Sequence, residues 1–169
     1  MLSLRPAGPS DADMLRRWDN TPHVAENYGD DPKEDWEAEL GRDVDWREWL
    51  IAEVDGRPIG IVQILDPARD EHQYWGDVSP GLRAIDIWIG EPEFLGKGYG
   101  TKMMRRALDK CFAAPNVTAV LIDPLEANTR ARRFYERLGF RAVGRRRFRT
   151  DDCMVYRLTR EDWQSRFRS

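Results

Sequence analysis

The chain has 169 residues, of which 41% are hydrophobic and 34% charged, with a formal net charge of −3. That length suits one domain, large enough to bury roughly 70% of the surface its unfolded form exposes, and the balance excludes a disordered tail. No apolar run approaches the ~20 residues of a spanning helix, and residues 59–65 are interrupted by Gly60 and Gln63.

Two cysteines, Cys111 and Cys153, and two histidines, His23 and His72, show no metal or redox spacing. Each thiol therefore reads as a small buried side chain, and no metal site is expected. The opening residues Met1 to Pro6 lack a basic segment followed by an apolar stretch, so a cytoplasmic chain with no membrane partner is expected. The net charge hides an asymmetry: residues 1–82 carry 8 Lys/Arg against 19 Asp/Glu, and residues 83–169 carry 19 against 11. Such halves either bind two oppositely charged ligands or are merely solvated, and charge alone leaves both open.

In chain order, Leu2 to Arg5 alternates as a short strand. Ser10 is placed to cap a helix with Asp11 and Asp13 in its first turn and Met14, Leu15 and Trp18 as its apolar stripe. Pro32 is placed to open a second helix carrying Trp36 and Leu40. Residues 49–54 and 58–65 flank Asp55-Gly56, a hairpin signal because such turns need positive φ, with Arg57 free to widen the loop. Residues 66–80 read as a loop. Residues 82–89 alternate, with Leu82, Ala84, Asp86 and Trp88 on one face and Arg83, Ile85, Ile87 and Ile89 on the other. A carboxylate in such a strand is unusual. Residues 100–112 have helical periodicity, 117–122 form a continuous apolar run suited to a fully buried strand, and 129–138 read as a helix closed by Gly139. Residues 140–147 and 153–158 complete a pair of antiparallel strands. The fold class is α/β, a mixed sheet with helices on both faces, in one domain over residues 1–169.

Between a strand and a helix lies Leu95-Gly96-Lys97-Gly98-Tyr99-Gly100-Thr101. Glycines there permit a tight turn and close approach of backbone N–H groups to an anion, and the helix N-terminus adds favourable partial charge. Phosphate is the natural guest, although Lys97 sits between the glycines and the P-loop pattern is not met. By itself the loop reads more readily as an ordinary turn. A second segment follows, Asn128-x-x-Ala131-x-x-x-Tyr135-x-x-x-Gly139-Phe140.

Together the two segments resemble the GNAT superfamily of N-acetyltransferases, by motif over roughly residues 82–158 and by element order alone before that. The resemblance implies a mostly antiparallel sheet splayed in its middle and acetyl-CoA (coenzyme A) as cofactor. It implies a pyrophosphate on the backbone of Leu95, Gly96, Lys97, Gly98, Tyr99, Gly100 and Thr101, and a pantetheine arm along Ile87, Trp88 and Ile89. Asn128, with Ala131 in the same motif, would contact the pantetheine or phosphate region. The family often carries Arg or Gln where this chain has Leu95, whose amide alone would then serve.

N-acetylation needs a neutral amine, whereas an alkyl ammonium titrates near pH ~10, so a base is required. Asp86, on the strand that leads to the expected thioester, is the candidate base, and the N–H of Trp88 or Ile89 a candidate oxyanion donor; the resemblance implies Tyr135 as the acid for the departing thiolate. The residues alone also allow Asp86 a structural ion pair and Tyr135 a place in the core. Within the superfamily, the segments 81–86 and 123–131 are most similar to aminoglycoside 6′-N-acetyltransferases. That likeness implies a cationic small-molecule amine as partner, met by Asp86 and Asp123. An acidic, aromatic-lined cleft is expected from Asp30, Asp31, Glu34, Asp35, Glu37, Glu71, Trp75 and Asp77, with Trp faces meeting sugars or cations. Other amines (a siderophore precursor, a polyamine, a protein N-terminus) and a non-catalytic acyl-CoA-binding module are the alternatives. No recognition helix or aromatic-basic stripe points to nucleic acid. The final strand is expected at an exposed edge, and monomer and homodimer are both compatible.

Overall fold

The computed structural model describes residues 1–29 and 32–167. Alternating side chains build β1 (Leu2–Pro6), which pairs antiparallel with β2 (Arg47–Val54). β2 returns as β3 (Arg57–Leu65) through Asp55 and Gly56, whose φ values of 51° and 83° are those of a two-residue primed turn. Arg57 already pairs with Val54, so it does not widen the loop. β3 pairs antiparallel with β4 (Leu82–Ile89), and residues 66–80 between them carry no helix or strand.

The remaining strands are β5 (Ala119–Ile122), β6 (Arg141–Phe148) and β7 (Asp151–Thr159), giving a seven-stranded sheet ordered β1-β2-β3-β4-β5-β7-β6. The expected edge position of the final strand is thus corrected. β7 is inserted between β5 and β6, because Cys153, Tyr156 and Leu158 are apolar enough to be buried, while β6 exposes Arg141 to Arg145 at the edge. Charged side chains on an edge strand discourage pairing with another chain.

α1 (Ala12–Asp19), α2 (Pro22–Ala25) and α3 (Trp36–Leu40) lie before β2. Leu15, Trp18 and Trp36 pack with Ile51 and Ile61, and Trp88 adjoins them, on one face of the sheet. α4 (Tyr99–Ala113) and α5 (Thr129–Arg137) cover the other face, with α6 (Arg160–Phe167) after β7. There Met103, Met104, Ala107 and Leu108 join Val62, Ile85, Tyr135 and Trp163 in the main core. Both cysteines are buried.

Two helix starts differ from expectation. Ser10 is exposed and caps nothing; Asp11 accepts from the Gly8 N–H at 2.8 Å and from both Arg5 Nη atoms at 2.8 and 2.9 Å, fixing a 3-10 turn ahead of α1. Pro32 precedes α3 without opening it, and Asp35 caps the helix by accepting from Ala38 N–H at 3.3 Å. Among the described residues no helix is long and apolar enough to cross a membrane.

Candidate active site

β4 and β5 form a short parallel pair, from Leu82 opposite Ala119 to Ala84 opposite Leu121. Beyond Ala84, β4 runs on to Ile89 against β3 alone, so the sheet opens into a V. Antiparallel strands alternate the direction of their hydrogen-bonding groups. Gly90 N–H donates to the Ile59 carbonyl at 2.8 Å, whereas Gly81 on the opposite alternation accepts from Thr118 N–H at 2.7 Å. Asp86 and Trp88 therefore turn their backbone to β3, and Ile87 and Ile89 turn theirs into the opening. Of the N–H groups expected to serve an oxyanion, that of Ile89 therefore faces the opening, as does that of Ile87, whereas that of Trp88 is committed to the sheet. His23 of α2 already reaches the Ile89 carbonyl, with Nε2 at 2.9 Å.

The strand leads into the glycine loop. Gly96 and Gly98 take φ of 70° and 84°, and a Cβ on either would meet nothing within 4 Å, so the loop faces open space. Gly98 caps α4 with no side chain covering the helix end and no acid in its first turn. The N–H groups of Tyr99, Gly100 and Thr101 therefore lack partners within the helix. Lys97 and Lys102 are exposed beside them. Such donors, with lysines and no carboxylate, fit a diphosphate, and the V-shaped opening with backbone groups from Ile87 and Ile89 fits an amide-bearing arm. Leu95 is a correction: its N–H donates to the Pro92 carbonyl at 3.1 Å, so its amide is spent inside the turn.

Asn128 caps α5, its Oδ1 accepting from Ala131 N–H at 3.1 Å and its Nδ2 donating to Asn27 Oδ1 at 2.9 Å. The Asn-x-x-Ala spacing is therefore first a helix cap. It also anchors the segment after α2, which spans the mouth of the V from Ile89 to the start of α5.

Asp86 lies exposed on the β4 face shared with Trp88. Beside it Tyr28 meets Trp88 edge-on, with ring centroids 6.0 Å apart. The buried Asp19 accepts from Tyr28 Oη at 2.6 Å and from Trp36 Nε1 at 2.7 Å, holding both rings. Burial, then Asp19, pushes the Tyr28 phenol up, with Glu34 and Asp86 adding to the effect. Burial likewise raises the Glu34 carboxyl, with Glu39, Asp86 and Asp19 in the same sense and Arg47 opposing. Tyr135 of α5 is 7% exposed, and its phenol is pushed up first by burial and then by the charges of Asp86 and Asp123.

Asp123 follows β5 and accepts from Tyr74 Oη at 2.6 Å. Trp75 is half-buried against Leu82, Ala84 and Leu121, and its ring already meets the Arg146 guanidinium at 5.3 Å. Asp77 is exposed on the same loop. Of the five described acids expected in the cleft, three are engaged elsewhere: Asp35 caps α3, Glu37 pairs with Arg16, and Glu71 pairs with Arg42. Asp30 and Asp31 lie outside the described residues. Glu34 is the member of that set whose charge acts together with Asp86. Asp19 and Tyr28 were not anticipated, since an acid and a tyrosine nine residues apart carry no motif.

Residues 8–148 match the family model for the acetyltransferase (GNAT) domain. An aminoglycoside N(6′)-acetyltransferase type 1 of Klebsiella pneumoniae is 32% identical over 151 residues, covering 85% of this chain and 75% of that protein. The lysine N-acyltransferase MbtK of Mycolicibacterium paratuberculosis is 30% identical over 147 residues, covering 85% and 66%. The solved aminoglycoside acetyltransferase AAC(6′)-Ib, in complex with coenzyme A and kanamycin, superposes with a TM-score of 0.88 at 30% identity, over 100% of both chains. The splayed sheet, the bare glycine turn at the start of α4 and these matches agree, and the chain belongs to the GNAT family of acetyltransferases.

Proposed function

We propose that the chain transfers the acetyl group of acetyl-CoA to a primary amine of a cationic small molecule, the 6′-amine of an aminoglycoside. The feature that carries this reading is Tyr135, a buried phenol whose pKa is pushed up first by burial and then by the charges of Asp86 and Asp123. An acid and two carboxylates within electrostatic reach of one another support an acyl transfer to an amine. When bound, acetyl-CoA supplies an acyl group activated as a thioester. The amides of Tyr99 to Thr101 would hold its phosphates, and Ile87 and Ile89 its arm. Asp86, directly or through a water, takes the proton that keeps the acceptor nitrogen from attacking. Tyr135 Oη holds the proton that the departing thiolate needs, and Asp123 binds the acceptor as a counter-charge. The 6′ position rests on likeness to the Klebsiella enzyme and to the kanamycin complex.

Similarity to a lysine N-acyltransferase favours a second reading, in which the acceptor is an amino-acid side chain or siderophore precursor. The deciding experiment is thiol release from acetyl-CoA with kanamycin-type aminoglycosides against lysine, siderophore hydroxylamines, polyamines and peptide N-termini. Turnover of aminoglycosides, with acetyl found at the 6′-amine by mass spectrometry, supports the first reading. Turnover confined to another amine overturns it.

A further inference from the structure

The loop of residues 66–80 has no regular structure, yet one side chain from the far edge of the sheet holds it. Arg146 of β6 donates through Nη2 to the Tyr74 carbonyl. Its guanidinium lies 5.3 Å from the centroids of Tyr74 and Trp75 and 5.7 Å from that of Phe148. Phe148 and Tyr74 are in turn packed ring on ring, 4.0 Å apart. Neighbouring Arg145 and Arg147 pair with Glu126 and Asp152 and remain exposed. Arg146 is different: its Nη1 is buried and finds no acceptor among the described residues. Leaving a guanidinium N–H unpaired is costly, and the ring faces around it offset only part of that.

The far end of this arrangement reaches the acceptor side. Tyr74 Oη donates at 2.6 Å to Asp123 Oδ2, fixing one oxygen of that carboxylate. A continuous chain of contacts therefore runs from the edge strand through the loop to a carboxylate whose charge bears on Tyr135. We infer that Arg146 is a positioning residue for acceptor binding: it locks residues 66–80 so that Tyr74 holds Asp123 in one orientation. This rests on the proposed role of Asp123 in meeting the acceptor amine.

The test compares wild type with Arg146→Ala, Arg146→Lys, Tyr74→Phe and the Arg146→Ala/Tyr74→Phe double variant. The acceptor KM should rise about tenfold or more in Arg146→Ala and Tyr74→Phe, with acetyl-CoA KM unchanged, since a short charge-assisted bond is lost. Arg146→Lys, which keeps a cation over the rings, should recover part of the loss. The double variant should be no worse than the more affected single one, because both act on one carboxylate. In the unliganded protein, amide hydrogen exchange over residues 66–80 should quicken in Arg146→Ala and stay unchanged in Tyr74→Phe.

Unaltered acceptor KM in a folded Arg146→Ala or Tyr74→Phe protein overturns the inference, as does unaltered exchange in the loop of Arg146→Ala or a multiplicative double variant. Should Arg146→Ala fail to fold, Arg146→Lys and Tyr74→Phe still decide between these outcomes. No turnover of any amine by wild type overturns the proposed function instead, while the exchange measurement still reads the clamp itself.

Discussion

Tyr135 packs between Phe134 and Phe140 with 7% of its surface exposed, and the charges of Asp86 and Asp123 act on it. A phenolate there would lose solvation and meet two like charges, so the neutral form is favoured and the pKa lies above its ordinary value near ~10. A raised acid pKa keeps the proton in place across the neutral and mildly alkaline range. Loss of activity below pH ~10 on the alkaline side therefore belongs to another group. Tyr135→Phe should lower kcat by about 10²-fold at every pH between ~6 and ~9, with little change in acceptor KM. A variant with normal kcat removes the role. Asp86 differs in being exposed to solvent. Asp86→Asn keeps the shape and removes the charge, and should cut turnover by about 10²–10⁴-fold. Near-normal turnover across the pH range would leave Asp86 a structural carboxylate.

At the level of elements, the site depends on how β4 ends and α4 begins. A Cβ on Gly90 would come 2.0 Å from Trp18 Cδ2, and Trp18 is fully buried with its Nε1 bonded to Glu91. Gly90→Ala should therefore force α1 away from the sheet and cost about 3 kcal/mol, read as a lower denaturation midpoint with an unchanged slope. A loss under about 0.5 kcal/mol would mean that α1 moves freely there. Gly98 is the opposite case: open space surrounds it, and its φ of 84° strains an aspartate by only about 1–2 kcal/mol, so Gly98→Asp should still fold. Its carboxylate at the bare start of α4 should weaken acetyl-CoA binding by more than about 100-fold in calorimetry, and unchanged binding would refute the diphosphate cradle. The strand periods, the Asp-Gly turn and the 3.6-residue stripes of α4 and α5 made these elements readable from the chain, because each is a local property. α2 is only four residues long, and α6 buries Trp163 among charged neighbours, so neither has a stripe to read. The placing of β7 inside β6 is a choice among distant partners that local alternation does not encode. The same division holds at the site. Asp86, Asp123 and Tyr135 stand out in motifs, whereas Asp19 looks like any surface acid until Tyr28 and Trp36 are seen to share it. Arg146 looks like one of a solvated run until the rings of Tyr74, Trp75 and Phe148 surround it.

For the whole molecule, the charge imbalance along the chain matters under the proposed function, which pairs a cationic acceptor with an anionic donor. The acid-rich residues 1–82 supply β1 to β3 with α1 to α3, and so bring Glu34 towards Asp86 on one face. The Lys/Arg-rich residues 83–169 supply α4 and α5, with Lys97 and Lys102 at the bare helix start. Under the proposed function, a polycationic acceptor and a polyanionic donor would be drawn to different groups of charges on the chain. Such steering acts over distances comparable to the screening length, about 10 Å at 0.1 M salt and about 3 Å at 1 M. Raising KCl from ~0.05 to ~0.5 M should therefore raise the KM of a kanamycin-type acceptor several-fold, and that of acetyl-CoA as well, with kcat far less affected. An acceptor with a single amine should show a shallower dependence than one with four, since fewer charges are steered. Glu34→Gln removes one carboxylate beside Asp86 without touching the cofactor side, and should flatten the salt dependence of the polycation alone. Equal flattening for both ligands, or a salt-independent acceptor KM in wild type, would show that the two faces are merely solvated and that recognition is settled at contact distance.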